Sequence, residues 1–203
     1  MKAAPQQAQK QEFEDHLHQK EARWFAVYTR YKREKMVASR LREKGIECYL
    51  PLQQLTRRYT RKVKQVELPL ISCYIFTKIT RPEYVPVLET ADVVQFVRFR
   101  RNLIAIPEAE IEIMRRVVGE GIELVAEPSQ FHPGDAVEIV GGQLTGLKGI
   151  LLEQRSDKNF VIELESLGYS LHMQVDPALL RRIRPGSGQT EPGNRLGEFR
   201  KYL

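Results

Sequence analysis

The sequence predicts an α+β domain in the first half of the chain and a small all-β domain in the second half. Three observations carry this prediction. Between residues 23 and 118, short aromatic and β-branched runs alternate with segments of helical periodicity. Between residues 131 and 184, every run is short and turn-forming residues separate the runs. The 203 residues are enough for two domains that each bury a hydrophobic core.

The first elements of the α+β domain are a strand and a helix. Residues 24–28 (WFAVY) are aromatic and β-branched, which is typical of a strand. Residues 32–44 lack Gly and Pro and carry apolar side chains four positions apart, and a glycine follows them directly. This pattern predicts a helix and marks its end. We expect a second strand at residues 46–50.

The middle of this domain combines a basic stretch with a buried strand. Residues 52–66 hold five basic and few apolar side chains, which predicts a long exposed loop or a hairpin. Residues 68–79 (LPLISCYIFTKI) are apolar almost throughout and predict one central strand buried on both faces. A short helix over residues 82–90, a strand over 93–99 and a short strand over 103–106 are expected to follow.

A last helix completes the first domain, and a linker follows it. Pro107 stands at a first-turn position, and Ile111, Met114 and Val118 recur at helical spacing. The element order βαββαβ(β)α therefore predicts an antiparallel sheet flanked by helices over residues 23–118. Residues 119–130 hold two Gly, one Pro and three Glu without any period, which predicts a linker between domains.

The second half of the chain changes character. Four or five short strands with turn signals between them predict a small barrel of the SH3-like kind over residues 131–184. The expected strands lie at residues 136–140, 147–153, 160–165 and 169–175. The two ends of the chain, residues 1–22 and 185–203, are rich in polar and turn-forming residues, and we expect disordered tails there.

The charges are distributed unevenly along the chain. The net charge is +6, but residues 23–118 carry 20 basic against 10 acidic side chains and residues 119–203 carry 9 against 12. Residues 23–66 alone hold 13 basic against 3 acidic side chains, too many for pairing along a helix to neutralise. This asymmetry predicts a polyanionic partner for the first domain.

Several classes of protein are excluded by the sequence. No stretch approaches the ~18–20 apolar residues of a membrane-spanning helix, so we expect no membrane partner. The N-terminal segment lacks the apolar core of a secretory signal, and Cys48 and Cys73 form no CxxC motif, so we expect reduced thiols in the cytoplasm. No catalytic motif and no His and Cys cluster with metal-ligand spacing is present, so we expect a protein that is not an enzyme and needs no metal or cofactor. We also expect a monomer.

A glycine-rich motif opens the predicted barrel. Its residues are Gly134, Asp135, Val137, Gly142, Gly146 and Gly149. A nucleotide-binding P-loop is excluded, because the lysine at position 148 leads into a strand and not into a helix. Taken alone, the motif fits a hairpin turn of a small barrel. The complete pattern resembles the KOW motif of transcription and ribosomal proteins.

The first domain resembles the N-terminal domain of NusG-like transcription elongation factors. The segments that carry the resemblance are WFAVY at 24–28, KREKMVA at 32–38, GIE at 45–47 with LPL at 50–52, and PLISCYIF at 69–76. VQFVRF at 94–99 with IAIP at 104–107 looks more like the specialised RfaH and UpxY antiterminators. The two motifs cover about residues 23–184 in the family's domain order. One departure is Ser72-Cys73, where the family usually has Pro-Gly or Pro-Asn.

The resemblance implies that the first domain grips the clamp helices of RNA polymerase with a hydrophobic depression. The matching positions are Tyr28, Ile71, Tyr74, Phe76, Phe99 and Ile111. Aromatic residues on strands are equally typical of a core, and the two interpretations differ in how exposed these side chains are.

The resemblance also implies that the basic face of the first domain contacts DNA in the transcription bubble. The candidate residues are Arg30, Lys32, Arg33, Arg40, Arg57, Arg58, Arg61 and Lys62, and Tyr31 and Tyr59 are placed to stack on unpaired bases. A solvated charged face is the alternative interpretation of such a run.

The expected function is that of a bacterial elongation and antitermination factor that suppresses pausing and termination. The KOW barrel is expected to recruit a ribosomal protein or a termination factor, and the strand alternation over residues 160–175 favours a stable barrel. Two alternatives stay open: a general NusG-type elongation factor, and a ribosomal or RNA-binding protein that uses the same barrel.

Overall fold

Among the described residues of the computed structural model, strands form antiparallel sheets of four and six strands and one separate two-stranded hairpin. The structure describes residues 13–59, 62–99, 101–119, 124–128, 134–151 and 160–183. The four-stranded sheet, the hairpin and the helices belong to the first half, and the six-stranded sheet belongs to the second. The predicted combination of an α+β domain with a small β domain is therefore confirmed.

The first domain is built from six strands and three helices within the described residues. The strands are β1 (Arg23–Thr29), β2 (Glu47–Tyr49), β3 (Leu52–Tyr59), β4 (Lys62–Pro69), β5 (Tyr74–Ile79) and β6 (Val93–Phe96). The helices are α1 (Glu34–Glu43), α2 (Tyr84–Leu88, after a 3₁₀ turn at Arg81–Glu83) and α3 (Glu108–Gly119). The sheet order is β2-β5-β1-β6, which places β5 and β1 in the centre.

Alternate residues of β1 serve the two faces of this sheet, as the two-residue period of a strand requires. Phe25 and Val27 pack with apolar residues of α1 and α2 on one face. Trp24 and Ala26 pack with apolar residues of α3 on the other face. Because both sets are buried, β1 is the buried strand that the aromatic run predicts.

The central apolar run at residues 68–79 is not one strand, contrary to the prediction. Strand β4 ends at Pro69 and β5 begins at Tyr74, and the chain turns between them. Cys73 takes a φ of +66°, in the left-handed region that interrupts an extended strand. The turn is apolar because Leu70 and Ile71 are buried, so hydrophobicity alone does not reveal it.

The basic stretch after β2 forms a hairpin, the second of the two predicted alternatives. Strands β3 and β4 pair antiparallel without interruption from Leu52 opposite Pro69 to Tyr59 opposite Lys62. By contrast, the short strand expected at 103–106 is reduced to isolated bridges, such as Trp24 with Ile106.

Residues 13–22 differ from the expected disordered tail over residues 1–22. Asp15 forms a parallel bridge with Leu103, and the backbone N–H of His16 donates to the carbonyl of Leu103. Leu17 is buried in the core with Phe25 and Val27. A single buried leucine and a few backbone hydrogen bonds leave no periodic signal in the sequence. Residues 1–12 and 185–203 lie outside the described residues.

The second domain is a six-stranded antiparallel sheet within the described residues, as expected for a small barrel. Its strands are β7 (Val125–Pro128), β8 (Asp135–Ile139), β9 (Lys148–Leu151), β10 (Phe160–Leu164), β11 (Tyr169–Met173) and β12 (Leu180–Arg182), in the order β12-β8-β9-β10-β11-β7. Strand β7 falls inside the predicted linker at 119–130 and pairs with β11. Residues 125–128 of this segment thus form an edge strand of the second sheet.

Candidate functional site

Three of the six residues expected to bind a polymerase helix are buried in the structure. Ile71, Phe76 and Ile111 have at most 3% of their surface exposed. They belong to one apolar cluster between the four-stranded sheet and α3. For these three residues, the core interpretation left open by the sequence describes the present arrangement.

The other three members of the set are partly exposed. Tyr28 is 38% exposed and its ring packs edge-on against the half-buried ring of Tyr74, with centroids 5.6 Å apart. Phe99 is 37% exposed. Tyr28 and Tyr74 form an aromatic pair at the rim of the buried cluster.

Tyrosine hydroxyls and one thiol are concentrated at this rim. Tyr74 packs edge-on against Tyr169 of β11, with centroids 5.8 Å apart. Burial raises the pKa of Tyr74, and the neighbouring hydroxyls of Tyr169 and Tyr28 raise it further. The adjacent Cys73, through its charge and a side-chain hydrogen bond, raises the pKa of Tyr28. The hydroxyls of Tyr28 and Tyr74 therefore stay protonated and serve as hydrogen-bonding groups.

The second domain covers the apolar cluster of the first. Phe160, Leu164 and Leu171 of the six-stranded sheet belong to the same continuous cluster of buried residues as Ile111 and Phe76. We call this the closed arrangement: the second domain packed on α3 and β5. Although it is docked, the second domain remains a β-sheet, in agreement with the alternation over residues 160–175.

Polar contacts at the edges of this interface hold the closed arrangement. The guanidinium of Arg116 on α3 donates to the carbonyls of Gln143 and Thr145, at 3.1 and 2.9 Å. The backbone N–H of Leu124 donates to the side-chain oxygen of Gln53 in the hairpin, at 3.3 Å. Strand β7 begins one residue later, so the connecting segment is attached to both domains.

Glu110 of α3 is the buried charged group of the interface. Its Oε1 accepts a hydrogen bond of 3.1 Å from the backbone N–H of Ser166, in the turn between β10 and β11. Its Oε2 is buried without a hydrogen-bond partner among the described residues. Burial raises the pKa of Glu110, the hydrogen bonds from Ser166 oppose this shift, and the charge of Glu165 adds to it.

Sequence reasoning missed Glu110, although a signal was present. Glu110, Met114 and Val117 follow the i, i+4, i+7 spacing of one helix face, and all three are buried. A carboxylate at an apolar position of a helix predicts either a polar partner on another element or a site of strain. The sequence of residues 165–169 does not indicate that this turn and the start of β11 pack over Glu110.

The basic residues that follow β1 form an exposed edge of the first domain. Arg30, Lys32 and Arg33 are all exposed where β1 leads into α1. Tyr31 between them is 67% exposed, and the Lys32 ammonium lies 5.0 Å from the centre of its ring. This edge begins two residues after Tyr28, so it adjoins the rim of the apolar cluster.

Arg40 has a structural role in this arrangement. Its guanidinium donates to Asp92 Oδ2 at 2.6 Å and to the carbonyl of Ala91 at 2.9 Å. The hydrogen bond from Arg40 lowers the pKa of Asp92, and the charges of Arg40, Arg33 and Arg30 lower it further. The ion pair connects α1 to the turn before β6.

The remaining basic candidates belong to the hairpin. The backbone of Arg57, Arg58 and Lys62 lies near its end, and Arg61 lies outside the described residues. Lys35 of α1 forms a 3.0 Å ion pair with Glu67 of β4. The hairpin is therefore attached to the helix that follows the exposed basic edge.

The departure at Ser72-Cys73 preserves the local turn. Cys73 adopts the positive φ that a glycine at this position would accommodate more easily. Its backbone N–H donates to Oε1 of the buried Glu34, at 2.8 Å. This hydrogen bond connects the turn before β5 to the first turn of α1. Cys48 and Cys73 are both free thiols.

The glycine-rich motif surrounds the β8–β9 hairpin. Gly134 precedes β8, Asp135 begins it, and the side chain of Val137 enters the core. Gly142 and Gly146 lie in the connecting turn with φ of +76° and +86°. A Cβ at Gly149 of β9 would collide with the carbonyl of Val161 and the ring of Phe160. At Gly149, the close approach of two strands requires glycine.

The described residues contain no group of three or more His, Cys, Asp or Glu side chains arranged to hold a metal ion. Within the same part of the chain, no helix has the length and apolar character needed to cross a membrane.

The fold and surfaces together define a class: a two-domain protein whose α+β domain carries an apolar face, covered by a small β domain, beside an exposed basic edge. Residues 22–115 match the family described as "Transcription termination factor nusG". This match covers nearly the whole of the α+β domain.

Three solved structures are similar to this chain. One is described as "Domain interaction in Thermotoga maritima NusG", with 16% identity, a TM-score of 0.48 and coverage of 80% of this chain and 98% of that one. Another is a chain of the MjSpt4:Spt5 complex in conformation B, with 17% identity, a TM-score of 0.28 and coverage of 79% and 96%. The same complex in conformation A matches with 18% identity, a TM-score of 0.26 and coverage of 79% and 97%.

Proposed function

We propose that this protein is a bacterial transcription elongation factor that binds the clamp helices of RNA polymerase through its first domain and suppresses pausing and termination. The observation that carries the proposal is the apolar face of the first domain, with Tyr28 and Tyr74 at its rim. The second domain packs over this face. Once the second domain dissociates, an apolar face of this kind suits binding of a partner helix.

The adjoining basic edge supports DNA of the transcription bubble as a second partner. Arg30, Lys32 and Arg33 are exposed and close in sequence to Tyr28. A polymerase bound at the apolar face would bring its DNA close to this edge. Arginine and lysine contacts to phosphate give salt-dependent affinity, and the exposed Tyr31 offers a ring on which an unpaired base can stack.

The closed arrangement implies that polymerase and the second domain compete for one face. The barrel must leave α3 before a helix of the polymerase can pack there. Once released, it is free to recruit a further partner, for which we propose a ribosomal protein or a termination factor. We place the protein in the cytoplasm as a monomer.

The test is capture of RNA polymerase subunits by the tagged full-length chain, analysed from a bacterial lysate and with purified polymerase. The double variant Tyr28→Ala, Tyr74→Ala should lose most of the captured polymerase. The control is Val85→Ala, an exposed apolar residue of α2 on the other side of the sheet. Equal capture by the double variant and the wild-type protein would show that the docking face is elsewhere.

A second measurement separates a specialised antiterminator from a general elongation factor. The specialised function predicts that relief of pausing in a purified transcription assay depends on a particular leader DNA sequence. A general factor acts equally on the leader template and on a scrambled template. Sedimentation with ribosomes in the absence of polymerase would instead favour the ribosomal or RNA-binding alternative.

A further inference from the structure

The interface between the two domains contains one carboxylate that is poorly satisfied. Glu110 is 9% exposed, and its hydrogen bond from Ser166 comes from the other domain. Its second oxygen has no hydrogen-bond partner among the described residues. An ionised carboxylate buried in this way costs free energy, whereas a protonated carboxyl group at the same place costs much less.

The charged groups around Glu110 do not compensate for its charge. Glu165, in the covering turn, bears a like charge and disfavours ionisation. Arg116, on the same helix, directs its guanidinium to the carbonyls of Gln143 and Thr145. Glu108 and Glu112 lie two residues away on α3 and interact with Arg115. Within the described residues, no cation is therefore paired with Glu110.

We propose that Glu110 is a proton-linked latch: its protonated form favours the closed arrangement, and its ionised form favours release of the second domain. The contact that makes it a latch is the Ser166–Glu110 hydrogen bond between the domains. When the domains separate, this face of α3 becomes exposed and water solvates the carboxylate. The position of the domains and the protonation of Glu110 are then two linked equilibria.

The direction of the effect follows from burial. Burial raises the pKa of Glu110 in the closed arrangement, and exposure in the open form returns it toward the ordinary value of a carboxyl group. The closed form therefore binds the proton more tightly, and lower pH favours closure. Between the two pKa values, the ratio of closed to open molecules changes by at most about tenfold per pH unit, the limit for one proton.

The experiment measures domain separation in the full-length protein without polymerase. Nitrogen-15 relaxation reports whether the two domains tumble together or independently, and the amide resonance of Ser166 reports the hydrogen bond. We expect the closed fraction to rise as the pH is lowered from about 8 to about 5, a range that spans ordinary and raised carboxyl pKa values.

Three substitutions make the test specific. Glu110→Gln keeps an acceptor for the Ser166 N–H without a charge, so its closed fraction should be high and independent of pH. Glu165→Gln should move the midpoint to lower pH, because it removes the like charge. Glu112→Gln, at an exposed position of the same helix, should behave as the wild-type protein. Because Glu110→Gln keeps every other titratable group of the chain, including His172 of β11, loss of the pH dependence in this variant assigns that dependence to Glu110.

The proposal is overturned if Glu110→Gln retains the pH dependence, if closure increases with rising pH, or if Glu165→Gln moves the midpoint upward. It concerns only the two domains of this chain, so it stands independently of the proposed function. Failure of polymerase capture would remove the docking proposal and leave the latch intact, whereas a pH-independent interface would remove the latch alone.

Discussion

Cys73 shows at the scale of one residue how a departure from a family pattern can leave the fold intact. The turn before β5 requires a left-handed residue, and Cys73 supplies it with a φ of +66°. A non-glycine residue pays a conformational cost of roughly 1 kcal/mol there. The turn is also secured by the hydrogen bond from the Cys73 backbone to Glu34, which any residue except proline could make.

Substitutions at Cys73 should therefore rank by their tolerance of positive φ. Cys73→Gly should change the free energy of unfolding by less than about 1 kcal/mol, because relief of strain offsets the loss of side-chain contacts. Cys73→Val should destabilise by about 1–2 kcal/mol or more, because β-branched residues disfavour this region. Urea unfolding measures both.

The matched control for this ranking is Cys48→Val in strand β2. There the backbone is extended, so a β-branched residue should be tolerated within about 1 kcal/mol. If Cys73→Val is as stable as Cys48→Val, backbone conformation does not govern this turn.

At the scale of single residues, the ion pair between Arg40 and Asp92 makes the stability of the folded state depend on pH. Its hydrogen bond holds the pKa of Asp92 below the ordinary value. A carboxyl group with a lowered pKa stabilises the folded state above its unfolded pKa, and this contribution is lost as the pH falls through the folded pKa. Arg40→Gln should raise the pKa of Asp92 and reduce the loss of stability on acidification.

The measurement is the carbon-13 titration of the Asp92 carboxyl group by NMR, combined with urea unfolding across the acidic range. An unchanged pKa of Asp92 in Arg40→Gln would show that the ion pair is absent in solution.

At the scale of the element, the sequence predicted the strands and helices that have a clear period or a clear stop signal. The aromatic run of β1 and the apolar spacing of α3 are such cases. The prediction of a single strand over residues 68–79 was wrong, because a buried turn is as apolar as a buried strand. Strand β7 was missed because four residues are too few for alternation to show, and its pairing with β11 is a tertiary effect.

The candidate site was predictable only in part, for the same physical reason. Residue types identified the aromatic and basic sets, but exposure depends on packing that no local pattern encodes. The structure buries Ile71 and Ile111, pairs Arg40 with Asp92, and leaves Arg30 and Arg33 exposed. The sequence could not distinguish a cation engaged in an ion pair from one available to phosphate.

That distinction predicts different effects of arginine substitutions on nucleic-acid binding. Arg30→Gln and Arg33→Gln should each lower the slope of log affinity against log salt by about 0.7, the value for one phosphate contact to a single strand. Arg40→Gln should change this slope by much less, since its guanidinium is engaged. Fluorescence anisotropy with a single-stranded oligonucleotide at several salt concentrations measures the slopes. Equal slopes for all three variants would contradict the assignment of the basic edge.

For the whole molecule, the proposed function assigns two purposes to one apolar face. In the closed arrangement it completes a core that runs through both domains. In the proposed open form the same residues receive a polymerase helix. The interface combines this apolar contact with the edge contacts of Arg116 and Leu124 and with the poorly satisfied Glu110, which favours a reversible association over a permanent one.

Weakening the interface from the side of the second domain should therefore increase polymerase binding. Tyr169→Ala removes the ring that packs against Tyr74 without altering the first domain. Loss of an aromatic pair and its buried area costs roughly 1–3 kcal/mol, which shifts the ratio of closed to open molecules by about fivefold to 150-fold. Nitrogen-15 relaxation should show the domains tumbling separately, and capture of purified polymerase should rise.

The control for this prediction is Val140→Ala, an exposed apolar position beside β12. It should leave both domain tumbling and capture unchanged, because the residue is not part of the cluster shared by the domains. If Tyr169→Ala separates the domains but captures no more polymerase than the wild-type protein, the covered face is not the docking surface. If the domains stay together, the Tyr74–Tyr169 contact contributes little to closure, and the apolar residues of α3 must carry it.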